Sequence, residues 1–529
     1  MRARFSYLFC LALLINLWLT SGLVAQNRPN ILIVIADDMG TDAFEPYGIG
    51  TDLASTPVLN NLASQGLLFM NAWGYPSCAP SRAALLTGRY GNKTSIMRSG
   101  PNLPNSEITL FEHLTTLTND AYANAVFGKW HLGNNNHPNN NGVQNFDGNL
   151  SSNPDSYFTW ERVVNGVADT VNTYVTTYLT DQAISWIDQQ SKPWLCWMAY
   201  NAPHSPFHLP PDSLYTRTQT NSNRDLYKCM IESVDHEVGR LLNSLTQAER
   251  DSTLIIFVGD NGSPGMMLQG YPQGQGKTSM YEGGIRVPMF ATGYGVSRVG
   301  EQEAGMVHFV DLFATLTEML GTALPGGVNN SFSFYSLLSD AHAPTRPYNY
   351  AEYQDGGINR AVRNAQYKLI LRDDGSQEMY DLWADSFETA DLLLGSLTSD
   401  QSQVRDELAR EADSIFSSWS CNDGIQNGNE AGIDCGGTSC APCGANRVGE
   451  GEELTRFKLY PNPAQDEVFI RLDRPVSKVV EVCDFAGKRA FLTEIHGSGS
   501  ISLAALPPGL YIITVSDGRM RQAQKFMIR

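Results

Sequence analysis

Four short apolar runs end abruptly in polar clusters, and this recurring pattern constrains the fold of the 529-residue chain more than any other feature. ILIVIA runs into Asp37-Asp38, AVF into Gly128-Lys129-Trp130-His131, WLCWMAY into Asn201-Ala202-Pro203-His204, and TLIIFV into Gly259-Asp260-Asn261-Gly262. Short bounded apolar runs suit strands buried on both faces, as in a largely parallel sheet, with helices such as 224–245 and 309–320 packed on it. Sites in open α/β sheets gather at the carboxyl ends of strands, so four polar clusters at four such ends point to one site.

The residue types in those clusters narrow its chemistry. Asp37, Asp38, Asp260 and Asn261 are hard oxygen donors, suited to Ca²⁺ or Mg²⁺. Three carboxylates in one cleft repel one another, and a divalent cation removes that conflict. Either pair alone reads as a helix cap or turn. In PSCAPSRAALLTGRYG (76–91), Pro80 and SRAALL place Cys78 just ahead of a helix N-terminus, where backbone N–H groups favour an anion. On its own, Cys78 also reads as a structural cysteine or half-disulfide, because C-x-P-x-R fixes only three residues.

In order along the chain stand RPNILIVIADDMG, CAPSRAALLTGRY, FGKWHLG, YNAPHSPF, VGDNG and GKTSMYEGGIRVP. With these segments the chain resembles the formylglycine-dependent sulfatases of the alkaline phosphatase superfamily, over about residues 28–415. The resemblance implies an alkaline-phosphatase-like α/β fold: a mixed, mostly parallel sheet flanked by helices (26–345) and a small C-terminal antiparallel subdomain (346–418). It further implies that a maturation enzyme oxidises Cys78 to formylglycine, so Cys78 pairs with neither Cys196 nor Cys229. One hydroxyl of the hydrated aldehyde would attack sulfur and release the alcohol; deprotonation of the other would expel sulfate.

The same resemblance implies Ca²⁺, in preference to Mg²⁺, on Asp37, Asp38, Asp260 and Asn261, with an oxygen of modified Cys78 in its shell. Arg82 and Lys129 would fix the formylglycine hydroxyls, and His131 would be the base that drives sulfate elimination. His204 and Lys277 would hold the other sulfate oxygens and help protonate the leaving alcohol. The implied substrate is the sulfate ester of a carbohydrate or an aryl alcohol. The competing readings are a phosphonate or phosphodiester hydrolase of the same superfamily and a non-catalytic surface protein that binds sulfated glycans.

The ends of the chain carry their own signals. MRAR, an apolar stretch from Tyr7 to Leu19 and a small-residue site at Ala25 form a secretory signal pattern over 1–25, too short to span a membrane, and no later segment is a transmembrane candidate. Export makes disulfides the expectation for Cys421, Cys435, Cys440 and Cys443 in the segment 419–445, with a zinc site as the alternative. Residues 455–529 read as a small β-sandwich, and YPNPAQDEVFIRL, DFAGK, LPPGLYIITV and KFMIR resemble the C-terminal sorting domain of type IX secretion. That implies handling by the type IX machinery and a secreted or surface-attached product.

Charge excludes one partner class. The chain carries −18, of which residues 451–529 hold +2 and the rest −20, leaving no basic face for nucleic acid. The site is different: Asp37, Asp38 and Asp260 balance Arg82, Lys129 and Lys277, and the expected Ca²⁺ makes it positive. The asparagine-rich stretch 134–149 is expected near the site mouth. It reads first as turn chemistry, with sugar contacts from its amides and stacking on Tyr157 or Trp160 as the alternative. Arg360 and Arg363 read equally as acidic-sugar contacts or solvated strand residues, and His208 as a substrate contact or a structural histidine.

Overall fold

The computed structural model describes residues 28–322, 324, 330–417 and, toward the C-terminus, 457–460, 464, 466–472, 477–484, 489–496, 498–504, 506–516 and 521–528. The expected signal peptide (1–25) and the cysteines at 421–443 lie outside the described residues. Among the described residues no helix is long and apolar enough to cross a membrane.

The larger part of the chain is built on one sheet of ten strands: β1 (Asn30–Ala36), β2 (Leu67–Trp73), β3 (Ala123–Gly128), β4 (Asn145–Gly148), β5 (Trp160–Val164), β6 (Val167–Val171), β7 (Trp194–Ala199), β8 (Thr253–Gly259), β9 (Met289–Gly293) and β10 (Glu301–His308). Their order is β10-β2-β9-β8-β1-β7-β3-β4-β5-β6. The central strands β8, β1, β7, β3 and β4 are parallel, while β9, β5 and β6 add antiparallel pairings. The four apolar runs of the sequence are β1, β3, β7 and β8, neighbours in register, so their polar ends emerge side by side.

Strand β1 shows why the run has no alternation. Ile31, Ile33 and Ile35 enter one core, while Leu32 and Val34 enter another on the opposite face; all five are at most 1% exposed. Each such side chain contributes about 1.5–3 kcal/mol of burial free energy. The principal helices are α1 (Pro57–Ser64), α2 (Cys78–Thr87), α3 (Leu110–Thr118), α4 (Val175–Asp188), α5 (Asn223–Ser244), α6 (Asp311–Met319) and α7 (Ser399–Ser417). Side chains of α2, α3 and α6 fill the first core, and those of α1, α4 and α5 the second. Helix α2 is buried along its whole length and ends at Gly88, which adopts the left-handed conformation (φ 66°) suited to glycine.

Strands β11 (Asn349–Gln354), β12 (Ile358–Arg363), β13 (Tyr367–Leu371) and β14 (Gln377–Asp381) form a second, antiparallel sheet, against which Leu408 and Ala412 of α7 are buried. Glu282, in the EGGIRVP segment that follows Lys277, accepts from Arg363 (3.3 Å) and Lys368 (3.2 Å), tying this sheet to the large one. Beyond it, β15 (Phe457–Tyr460), β16 (Glu467–Leu472) and β19 (Gly499–Ser502) form one sheet, while β17 (Ser477–Asp484), β18 (Arg489–His496), β20 (Gly509–Ser516) and β21 (Arg521–Ile528) form another. Between them lies a core that includes Phe457, Val468, Ile470, Val482, Ile513 and Phe526. The sequence expectation of an α/β fold with a small antiparallel subdomain and a β-sandwich tail holds.

Candidate active site

The motifs deliver their side chains from the ends of central strands or the start of α2, except Lys277, which stands in a turn between β8 and β9. Asp37 and Asp38 follow β1; Asp38 sits at φ 69°, and its N–H donates to Asp260 Oδ1 (3.1 Å) from the end of β8. Gly128 ends β3 at φ 110°, and a Cβ there would stand 2.0 Å from the Ala199 carbonyl oxygen, so only glycine lets the chain turn into Lys129. His131 (φ 58°) and Thr278 (φ 70°), beside Lys277, share the left-handed conformation. Such residues cost on the order of 1–3 kcal/mol each and persist where the surroundings hold them, here for Thr278 an N–H bond to the Pro76 carbonyl (2.7 Å).

These elements bring the sequence-predicted residues together around Cys78. Its Sγ lies 3.4 Å from Asp37 Oδ1, with the thiol 2% exposed at the first position of α2. Arg82, one turn on, donates to Asp260 Oδ2 (2.9 Å), Asp37 Oδ2 (3.5 Å) and the Lys129 carbonyl (2.8 Å). Lys129 Nζ bonds Asp37 Oδ2. Lys277 Nζ stands 2.6 Å from Asp38 Oδ1, and His204 Nε2 3.6 Å from Asp38 Oδ2. Asn261 Nδ2 donates to Asp38 Oδ1 (2.8 Å). The imidazole of His131 faces the field of Lys129, Arg82, Asp37 and His204, and its buried Nδ1 has no hydrogen-bond partner.

The electrostatics follow from burial and this mixture of charges. Burial would raise the Asp37 pKa, but Lys129, His204, Arg82 and Lys277 outweigh it and hold the carboxyl well below the usual range. Asp260 is raised by burial and by Asp37, with Arg82 opposing. Burial, then Lys129 and Arg82, pushes His131 down to about 2, so its imidazole is neutral. Lys277 is raised, because Asp38 outweighs its burial. Burial, then Asp37, raises the Cys78 thiol, which therefore stays protonated. A protonated thiol is a poor nucleophile, so the unmodified cysteine is badly suited to attack.

The site holds a candidate metal-ligand cluster. Ligand atoms of Asp37, Asp38, Cys78 and His204 lie within 4.8 Å of one another. The Asn261 side-chain oxygen is buried without a partner, and a buried acceptor left unpaired is the exception that a bound cation resolves.

Several supporting residues were not singled out in the sequence. Tyr227, on α5, donates to the Asp38 carbonyl (2.7 Å). Ser263 Oγ accepts from Gly40 N (3.2 Å) and donates to Asp42 Oδ1 (2.7 Å), fixing the turn after β1. Asn201, at the end of β7, is 1% exposed with both amide atoms unpartnered. Its place in YNAPHSPF, at the carboxyl end of an apolar run, was the available signal. Other candidates fall outside the site. Tyr157 and Trp160 are buried and unavailable for stacking; Arg363 is buried against Glu282, and Arg360 pairs with Asp413 (2.8 Å). His208 is held by Tyr174 Oη (3.0 Å) and the Pro206 carbonyl (2.8 Å), which makes it structural.

The chain is similar to known proteins. The family model described as Sulfatase matches residues 29–322, more than half of the chain. The chain belongs to the sulfatase family. It is therefore a sulfuric ester hydrolase by family. A second family, the secretion system C-terminal sorting domain, matches residues 458–529, marking an exported sulfatase that is secreted or held at the cell surface. Arylsulfatase G of Rattus norvegicus is 27% identical over 425 residues, covering 68% of this chain and 78% of the relative. A sulfatase of Formosa agariphila is 26% identical and covers 79% of this chain and 93% of its own. The crystal structure of Ps i-CgsB in complex with k-i-k-neocarrahexaose matches with a TM-score of 0.65 at 25% identity, covering 74% of this chain and 93% of that one.

Proposed function

We propose that this sulfatase hydrolyses sulfate esters of carbohydrates, with aryl sulfates as surrogate substrates, using formylglycine made from Cys78 by a maturation enzyme. The observation that carries this reading is the gathering at Cys78, the first residue of α2, of Asp37, 3.4 Å from its Sγ, with Arg82 and Lys129 both bound to that carboxylate. The hydrated aldehyde would supply an oxygen nucleophile where the thiol cannot act. Asp37, Asp38, Asp260 and Asn261 would hold Ca²⁺, in preference to Mg²⁺, with an oxygen of modified residue 78; the ion would supply Lewis-acid polarisation of the sulfate.

The chain's own residues then divide the work. Arg82 and Lys129, anchored on Asp260 and Asp37, orient the group at position 78. His131, whose buried Nδ1 has no other hydrogen-bond partner, would accept a proton there. Lys277 and His204, on the Asp38 side, face the sulfate oxygens and the departing alcohol. Likeness to Ps i-CgsB, crystallised in complex with k-i-k-neocarrahexaose, supports a carbohydrate sulfate, as does the sorting tail that exports the enzyme. Parallel assays with an aryl sulfate and an aryl phosphodiester test the reaction class; a marked preference for the phosphodiester would replace this reading with the phosphodiesterase one.

A further inference from the structure

We infer that the C-terminal sorting tail docks on the catalytic domain through Lys525, whose ammonium enters a polar socket formed by Glu107, Glu112 and Asn141. In strand β21, Phe526 and Ile528 point into the sandwich core, so the alternating Lys525 points out of it. An outward lysine is normally solvated, yet this one is 9% exposed. Its Nζ donates to the Glu107 carbonyl (2.6 Å), Glu112 Oε2 (2.8 Å) and Asn141 Oδ1 (3.4 Å). An ammonium has three N–H donors, and each has an acceptor in the socket.

The socket is held in shape by the catalytic domain alone. Glu112 closes a capping box at the start of α3, accepting from Thr109 N (3.0 Å) while Thr109 Oγ1 accepts from Glu112 N (3.3 Å). Thr109 Oγ1 also donates to the Asn141 carbonyl (2.6 Å), and Asn141 Nδ2 is spent on Asn105 Oδ1 (3.1 Å) and the His137 carbonyl (2.8 Å). The Asn141 oxygen is thereby aimed at the incoming cation. The Glu107 carboxylate is taken by Arg89 (2.8 Å), which leaves Glu112 as the charge that Lys525 answers. Behind the socket, His137 Nδ1 accepts from Trp130 Nε1 (3.0 Å), so the docking point borders the scaffold of the Lys129–His131 step. While docked, Lys525 is closed to any other protein, and the tail must leave the socket before this residue can be read.

Amine acylation of the full chain, followed residue by residue with mass spectrometry, tests the contact. Lys525 should react ~10-fold or more slowly than the exposed Lys192, since acylation must wait for the contact to open. Equal rates would overturn the docking. Glu112→Gln should raise the Lys525 rate several-fold and leave Lys192 unchanged; no rise would remove the charge pairing from the proposal. Independently, Lys525→Ala in the full chain should speed amide hydrogen exchange at 107–112 and 137–142, and unaltered exchange there would also overturn it.

Discussion

Arg82 Nη2 lies 2.9 Å from Asp260 Oδ2 with both side chains out of solvent, whereas Lys277 meets Asp38 with 18% of its side chain exposed. Arg82 pairs with two buried carboxylates, Asp260 and Asp37, so its role is structural as well as electrostatic. Arg82→Met should destabilise the fold by about 3–5 kcal/mol, because breaking a buried pair leaves a charge uncompensated. Lys277→Ala should cost less than about 2 kcal/mol yet reduce turnover about 10²-fold. Urea unfolding alongside aryl sulfate assays separates the two, and equal stability losses would contradict this division.

Cys78 and the cysteines of 421–443 should respond differently to substitution. Cys78→Ala removes a small side chain from the site and should abolish turnover while shifting the unfolding midpoint little. Cys440→Ala, remote from the site in sequence, should leave turnover largely intact. Matched losses in both variants would mean the nucleophile has been assigned to the wrong cysteine.

Bound Ca²⁺ should report itself in thermal unfolding, independently of activity. At 100-fold above its dissociation constant, an ion that binds the folded state alone stabilises by about 2.7 kcal/mol. Chelation should lower the melting temperature, Ca²⁺ should restore it better than Mg²⁺, and Asp38→Asn should lose most of the shift. A full shift in Asp38→Asn would place the ion elsewhere.

Glu352 gives stability a pH dependence of definite sign. Burial raises its pKa to about 7 although Asn92 N donates to it (2.6 Å). The folded state therefore holds this proton where the unfolded chain has lost it, and stability falls as pH rises from the unfolded value of 4.5 toward 7. Glu352→Gln should remove that decline, which is on the order of 3 kcal/mol at full extent. Parallel unfolding curves at pH 5 and pH 8 measure it; an unchanged slope in the variant would assign the titration to another group.

The sheet centre and the gathering of the motif residues were legible in the sequence because both rest on local signals. ILIVIA and TLIIFV are uniformly apolar since both faces of β1 and β8 are covered, and the polar ends then fall together by register. The sheet edges were not legible. Strands β5 and β6 are joined by Asn165-Gly166, a hairpin signal, but β6 is almost wholly exposed and carries no burial pattern. The asparagine-rich stretch looked like a solvated mouth, yet Asn141 and Asn149 are buried because their amides replace backbone partners there. The burial of Arg363 and Lys525 was not legible for a related reason: their carboxylate partners, Glu282 and Glu112, are 81 and 413 residues away.

The oxidation state of Cys78 tests the proposed chemistry most directly. Peptide mass spectrometry across residues 77–89 of protein from its native host should find the aldehyde or its hydrate in place of the thiol. An intact cysteine in protein that nevertheless hydrolyses sulfate esters would contradict the assignment of Cys78 as the precursor of the nucleophile.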